Sequence, residues 1–206
     1  MSSRFSIWVL LLLSGIGLGA LQAAGVSEQQ ADAFSQKMAT VKKQGIQGIS
    51  GVQGTNRTPL RTPFSESELN SWFAYRSGEV MPPGVSEPRV TLVGNGKVQA
   101  AATVDLEAIA KQRKSGGALD PWSYLGGRLP VTLSGVLRTE NGMGRFDLEQ
   151  AAVSGVPVPT SVLADIVSYY TRSADDSDGV RINDNFRLPS QIKQIEMGTG
   201  QGVIVQ

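Results

Sequence analysis

The sequence contains no cysteine and no histidine. The absence of cysteine excludes disulfide bonds and thiolate nucleophiles, and the absence of histidine excludes Ser-His-Asp triads and imidazole metal ligands. Nor is there an excess of charge of one sign: 19 Lys and Arg balance 18 Asp and Glu, and the net charge of +1 would not attract nucleic acid. We therefore expect no metal, no cofactor, no nucleic-acid partner and no enzymatic activity.

The first 24 residues have the form of an export signal. Arg4 is the only charged residue before an apolar stretch that reaches Ala20, and the small residues Ala23 and Ala24 follow it. This order predicts a signal peptide over residues 1–24, cleaved after Ala23 or Ala24, with an uncleaved membrane anchor as the alternative. The rest of the chain has no second long apolar run. We therefore expect a periplasmic or secreted protein with no membrane span in its mature part.

The segment 25–63 is predicted to contain an N-terminal helix and a linker. Ser27 and Gln30 have capping-box spacing, and apolar residues then recur every three or four positions. Gly45 follows two lysines and is predicted to end this helix. The composition of residues 45–63, which is rich in Gly, Gln and Thr, indicates a linker or an extended, strand-like arm.

Residues 64–206 are predicted to form a single α+β domain, a long, curved antiparallel β-meander packed against or wrapped around amphipathic helices. A second capping box at Ser65 starts a helix that reaches Arg76. Alternating apolar residues then predict three hairpins, with turns at residues 95–96, 140–144 and 198–202. The remaining expectations are a short helix or insertion over 105–114, a stop to the sheet at 155–159, and a helix over 160–170 that Thr160 can cap.

The order of elements in residues 64–206 resembles a known group of exported bacterial proteins. Hairpins with an Asn-Gly turn precede the run Gly155-Val156-Pro157-Val158-Pro159, a helix follows, and Phe186-Arg187-Leu188-Pro189 comes before a closing hairpin. This order is similar to that of the tubular lipid-binding (TULIP-like) group, which includes the mycobacterial phospholipid-binding protein of mannolipid synthesis. The resemblance implies a bent antiparallel sheet around a long helix, with lipid tails between them.

The apolar stripe of the late helix is the candidate ligand-facing element, and its alternative is a plain core helix without a cavity. Aromatic residues of the earlier helix are candidates for the mouth of a groove. Two strand residues complete the set of proposed ligand-binding positions. These positions are Val162, Leu163, Ile166, Val167, Tyr170, Trp72, Phe73, Leu133 and Phe146.

Three functions remain open at this point. The first is an envelope protein that binds or carries a lipid or another apolar small molecule between helix 160–170 and the sheet. The second is a non-enzymatic envelope scaffold or assembly factor that acts through contacts with a protein partner, offering an edge strand or the N-terminal helix. The third, and least favoured, is a hydrolase that uses paired carboxylates.

Overall fold

The structure is a computed structural model that describes residues 25–50, 58–76, 78, 81, 84–105, 107–108, 127–164 and 181–206. Within these ranges the chain forms two helices and nine strands, and residues 107–108 and 160–164 are also helical. The elements in chain order are α1 (Glu28–Ser50), β1 (Arg61–Ser65), α2 (Glu66–Tyr75), β2 (Val85–Gly94), β3 (Lys97–Asp105), β4 (Arg128–Glu140), β5 (Met143–Val153), β6 (Val156–Pro157), β7 (Asn185–Arg187), β8 (Gln194–Gly198) and β9 (Gln201–Val205).

A six-stranded antiparallel sheet has the order β2-β3-β4-β5-β6, and β7 pairs with β5 beside it. The predicted turns at Asn95-Gly96 and Asn141-Gly142 are confirmed, since each joins two neighbouring strands of this sheet. Both residues of each turn have positive φ, between 51° and 80°, which suits the right-handed twist of the strands that they connect. The two turns lie at the same end of the sheet because β3 and β4 are antiparallel neighbours.

The predicted C-terminal hairpin is also confirmed, but it belongs to a second sheet. The strands β8 and β9 pair around the turn Thr199-Gly200. Strand β1 pairs with the other side of β9, where Arg61 lies opposite Val205. The α+β class with antiparallel strands is therefore confirmed: strands β2 to β6 follow one another as a meander, while the third hairpin lies in a separate three-stranded sheet. Residues 61–63 form part of β1, so this piece of the N-terminal segment is the extended arm and not a linker.

Helix α1 begins as predicted, because the Ser27 hydroxyl accepts a hydrogen bond from the Gln30 N–H at 3.3 Å. Its predicted end is wrong, since the helix continues through Gly45 to Ser50. A glycine inside a helix costs only about 1 kcal/mol relative to alanine, so it does not end a helix that packing holds together. Gly45 has a packing role: a Cβ at this position would overlap the carbonyl of Ser190.

Helix α2 carries the complete predicted capping box. The Glu68 N–H donates to the Ser65 hydroxyl at 3.1 Å, and the Ser65 N–H donates to the Glu68 carboxylate at 2.8 Å. The helix ends at Tyr75 with Arg76 as its C-cap, as the sequence predicts. These reciprocal bonds satisfy donors that a helix otherwise leaves free at its N-terminus.

One hydrophobic core joins both helices to both sheets. Phe34 of α1 meets the Phe64 ring of β1 edge-to-face, with centroids 5.8 Å apart, and it also meets Trp72 of α2 at 6.0 Å. The buried members of this cluster are Phe34, Val41, Phe64, Leu92, Leu188, Ile192 and Ile204. The N-terminal helix is therefore an integral layer of the folded unit in the residues that the structure describes.

Two local predictions after β5 are corrected. The sheet does not stop at Gly155, because Val156 and Pro157 form β6 against the end of β5. Thr160 is not the cap of the next helix but its first helical residue, and the Pro159 carbonyl accepts from Leu163 N at 3.2 Å. The rest of the predicted helix, residues 165–170, lies outside the described residues, as does most of the predicted segment 105–114.

Candidate functional site

The six-stranded sheet has one apolar and one polar face because successive side chains of a strand point to opposite sides. The apolar face carries aliphatic residues that stand opposite one another in register, such as Ala100↔Leu133↔Ala151 and Ala102↔Val131↔Val153. The polar face carries the alternate positions, namely Arg89, Thr91, Gln99, Thr132, Ser134 and Gln150. The two faces therefore offer different chemistry to a ligand.

Among the described residues, the core cluster covers the turn end of the apolar face. Leu92 is buried in the core cluster and Val98 packs against it, while Thr139 exchanges hydrogen bonds with the backbone of Ile195 in β8 at 2.8 and 2.9 Å. Further from the turns the side chains of this face are mostly half-buried. They are Ala102, Val104, Leu129, Val131, Leu133, Leu148 and Val153. This far part of the apolar face is the first candidate binding surface.

A groove of about 760 Å³ lies on the polar face, between the strands and the segment 157–160 that enters the late helix. We call it the sheet groove. Its floor combines Thr132 and Ser134 with the small side chains Ala101 and Ala152, and Arg89 stands at its side. Half of its lining residues carry hydroxyl, amide or charged groups, and the other half, Leu133 among them, are apolar. The predicted slot between helix 160–170 and the sheet stays a prediction, because this helix is described only to residue 164.

A second groove, of about 700 Å³, lies between the C-terminal half of α1 and the segment 187–193. We call it the helix–loop groove. The turn Asn141-Gly142 and Met143 close one side, and Lys42, Arg187 and Lys193 contribute three cations. No carboxylate of a described residue lines it.

The structure brings together only some of the predicted ligand-binding residues. Leu133 and Phe146 share the apolar face, and the Phe146 ring lies over Gly135 on the neighbouring strand. Trp72 packs against the core cluster, and the centroids of the Trp72 and Phe73 rings are 5.5 Å apart, so both aromatic residues lie beside the core.

The late helix is described only at its start. Leu163 is buried at 9% exposure, while Val162 is 41% exposed, so these two neighbours face different surroundings. The positions Ile166, Val167 and Tyr170 lie outside the described residues. The cationic residues of the helix–loop groove could not be predicted from the sequence, because they are distant in the chain and no motif connects them. Val131 could have been predicted, because the alternation that selected Leu133 places both residues on one face.

The carboxyl groups with shifted pKa belong to ion pairs. Hydrogen bonds from Arg145 and Arg138 lower the pKa of Asp147, and a hydrogen bond from Arg61 lowers the pKa of Glu196. Burial raises the pKa of Glu68, but bonds from Lys37 and the Ser65 backbone outweigh it, so the net shift is downward. None of these three carboxylates lines either groove, so the shifts stabilise the fold and do not mark an acid–base site there.

No protein-family model matches the chain, and no curated protein matches it. In the part of the chain that the structure describes, no helix combines the length and the apolar character needed to cross a bilayer. The same residues contain no cluster of three or more potential metal-ligating side chains. The chemistry of the two grooves and the two sheet faces is therefore the basis for assigning a function.

Proposed function

We propose that the protein binds and carries a lipid acyl chain, or another long apolar ligand, along the far part of the apolar face. One observation carries the proposal: aliphatic side chains continue across three strands beyond the core, yet they stay half-buried. A continuous apolar surface of this kind on a globular protein is typical of a binding site.

The driving force would be the removal of apolar surface from water. Each buried CH₂ group contributes about 0.8 kcal/mol, so a chain of about sixteen carbons gains roughly 13 kcal/mol. Association itself costs about 4–15 kcal/mol, so binding needs nearly the whole chain to be covered. We therefore propose that the sheet curves around the ligand and so covers it from a second side.

Two features of the sequence support a role in the cell envelope. The first 24 residues have the form of an export signal, and residues 64–206 resemble the tubular lipid-binding group. A carrier between membranes needs an apolar site and no catalytic group, and a chain without histidine or cysteine fits that requirement. We propose that the mature protein is periplasmic or secreted and acts there on lipid.

The test uses two neighbouring alanines of β3 that point to opposite faces. Ala100→Phe places a ring on the apolar face, and the matched control Ala101→Phe places the same ring in the sheet groove. Protein purified from cells is examined by native mass spectrometry and by displacement of a fluorescent fatty acid. We expect bound lipid in the wild type, loss of binding in Ala100→Phe, and retention in Ala101→Phe.

A second pair of variants protects the test against a failure to fold. Val131→Thr adds a hydroxyl to the apolar face with almost no change of shape, and Thr132→Val makes the reverse exchange on the polar face. Binding should weaken several-fold in the first variant only, with thermal unfolding measured in both. A wild-type protein that never carries lipid, and whose unfolding is unaffected by Ala100→Phe, would refute the carrier function and favour the envelope scaffold. Lipid binding that Ala100→Phe leaves unchanged would do the same.

A further inference from the structure

The helix–loop groove has a preformed floor. The Gln206 side-chain amide donates to the Val41 carbonyl at 2.9 Å and to the Ser190 carbonyl at 2.6 Å, which connects the C-terminus, α1 and the loop. Gly45 allows the helix to lie directly against Ser190. A groove held in this way loses little conformational freedom when it meets a partner.

The turn at the base of this groove has an unfavourable backbone. Ser190 and Gln191 have φ values of 53° and 58°, and the Ile192 N–H closes the turn on the Pro189 carbonyl at 3.0 Å. Left-handed conformations are unfavourable for residues other than glycine, so the surrounding contacts must hold this turn in place. The turn keeps Arg187 and Lys193, at either end of the loop, beside the same groove.

Among the described residues, no carboxylate pairs with the cations of this groove. The ion pairs formed among the described residues use other cations and leave out Lys42, Arg187 and Lys193. Each of these three side chains is exposed. Apolar side chains stand beside them: Ile46 is 58% exposed and Met143 is 41% exposed. Positive charge next to exposed apolar side chains is the combination that binds the headgroup region of an anionic bilayer.

We propose that the helix–loop groove docks the protein on a membrane surface that contains anionic phospholipids. The three cations would meet the lipid phosphates, while Ile46 and Met143 would enter the boundary between headgroups and acyl chains. Each Lys or Arg held near an anionic surface changes partitioning roughly five-fold, so the three together account for roughly a hundred-fold preference over a neutral bilayer. This docking does not depend on a ligand in the sheet.

The test is co-sedimentation of the full chain with vesicles of equal parts phosphatidylcholine and phosphatidylglycerol. Vesicles of phosphatidylcholine alone give the baseline, which includes any contribution of the apolar N-terminal residues. The variant Lys42→Gln/Arg187→Gln/Lys193→Gln should lose most of the anionic preference. The matched control Arg89→Gln/Arg128→Gln/Arg138→Gln, which removes three exposed cations elsewhere on the protein, should keep it.

Three further measurements make the outcome decisive. Raising the salt concentration should weaken docking, because these charges are exposed and screened. Inorganic phosphate should displace the protein no more than chloride at equal ionic strength, and stronger displacement would show a site for free phosphate and overturn the proposal. Equal losses in the groove variant and the control, or no anionic preference in the wild type, would also overturn it. Ala100→Phe should still dock, which separates this result from the carrier function.

Discussion

The contact between Glu68 and Lys37 offers the most direct test of how the two helices are joined. The Lys37 ammonium donates to both carboxylate oxygens, at 2.7 and 2.8 Å, and the Glu68 side chain is only 15% exposed. The same carboxylate also completes the capping box of α2 by accepting from the Ser65 N–H. One side chain therefore provides a helix cap and an interhelical ion pair.

The two contributions can be separated by substitution. Glu68→Gln keeps a capping-box residue and removes the charge, so it should lower the free energy of unfolding by about 1 kcal/mol. Glu68→Ala removes both interactions and should cost about 2 kcal/mol. Lys37→Met removes only the ion pair. In a double-mutant cycle, Lys37→Met and Glu68→Gln should be coupled by about 1 kcal/mol, the upper end for a partly exposed pair.

The pH dependence gives an independent check. The folded state lowers the pKa of Glu68 below its unfolded value of about 4.3, so the contribution of the carboxylate is fully present above that value. It is lost as the pH falls through the lower, folded-state pKa. Urea unfolding followed by circular dichroism should therefore show a smaller loss of stability on acidification in Glu68→Gln than in the wild type.

Two outcomes of this series would contradict the roles assigned to Glu68. A coupling energy near zero would mean that the ion pair contributes nothing and that the capping box alone explains the role of Glu68. Equal losses in the Gln and Ala variants would mean the reverse. The slopes of the urea transitions must agree between variants, because a changed slope reports a different unfolded or native state and invalidates the comparison.

Two further substitutions test the packing of α1. Ser71→Ala should lower the free energy of unfolding by about 1–2 kcal/mol in urea titrations, because the fully buried Ser71 hydroxyl accepts from Ser27 N at 3.1 Å and the variant leaves this donor unpaired. Gly45→Ala should cost about 1–3 kcal/mol, because its methyl group would overlap the Ser190 carbonyl, whereas the control Gly78→Ala, with open space around it, should lower the thermal unfolding midpoint little. Equal effects of the two glycine variants would contradict the described contact.

Features that depend on neighbouring residues could be predicted from the sequence. The capping boxes at Ser27 and Ser65 need only four consecutive residues: the box at Ser65 is complete, and at Ser27 the hydroxyl caps the helix while its N–H donates to Ser71 instead of Gln30. The Asn-Gly turns likewise need two residues that tolerate positive φ, and both form. Alternation assigned the strand residues to the correct faces, because a side-chain period of two is a property of the strand itself.

Features that depend on distant residues could not be predicted in this way. The pairing of β1 with β9 places Arg61 opposite Val205, and neither five-residue segment contains a signal that identifies its partner strand. The same holds for Gly45, which reads as a helix stop until the position of Ser190 is known. In both cases tertiary packing decides between local alternatives that the sequence leaves close in free energy.

The candidate site illustrates the same division. The sequence predicted an apolar surface and named Leu133 and Phe146, which do share one face. It placed the ligand between helix 160–170 and the sheet, and this stays a prediction because the helix is described only to residue 164. The groove beside residues 157–160 lies on the polar face, where Thr132 and Ser134 line it, and Leu133 also contributes to its lining. Because one residue along a strand exchanges the two faces, Ala100→Phe and Ala101→Phe differ in chemistry far more than in position. If only the second abolished lipid binding, the ligand would lie on hydroxyl and amide groups, and a polar headgroup rather than an acyl chain would determine recognition.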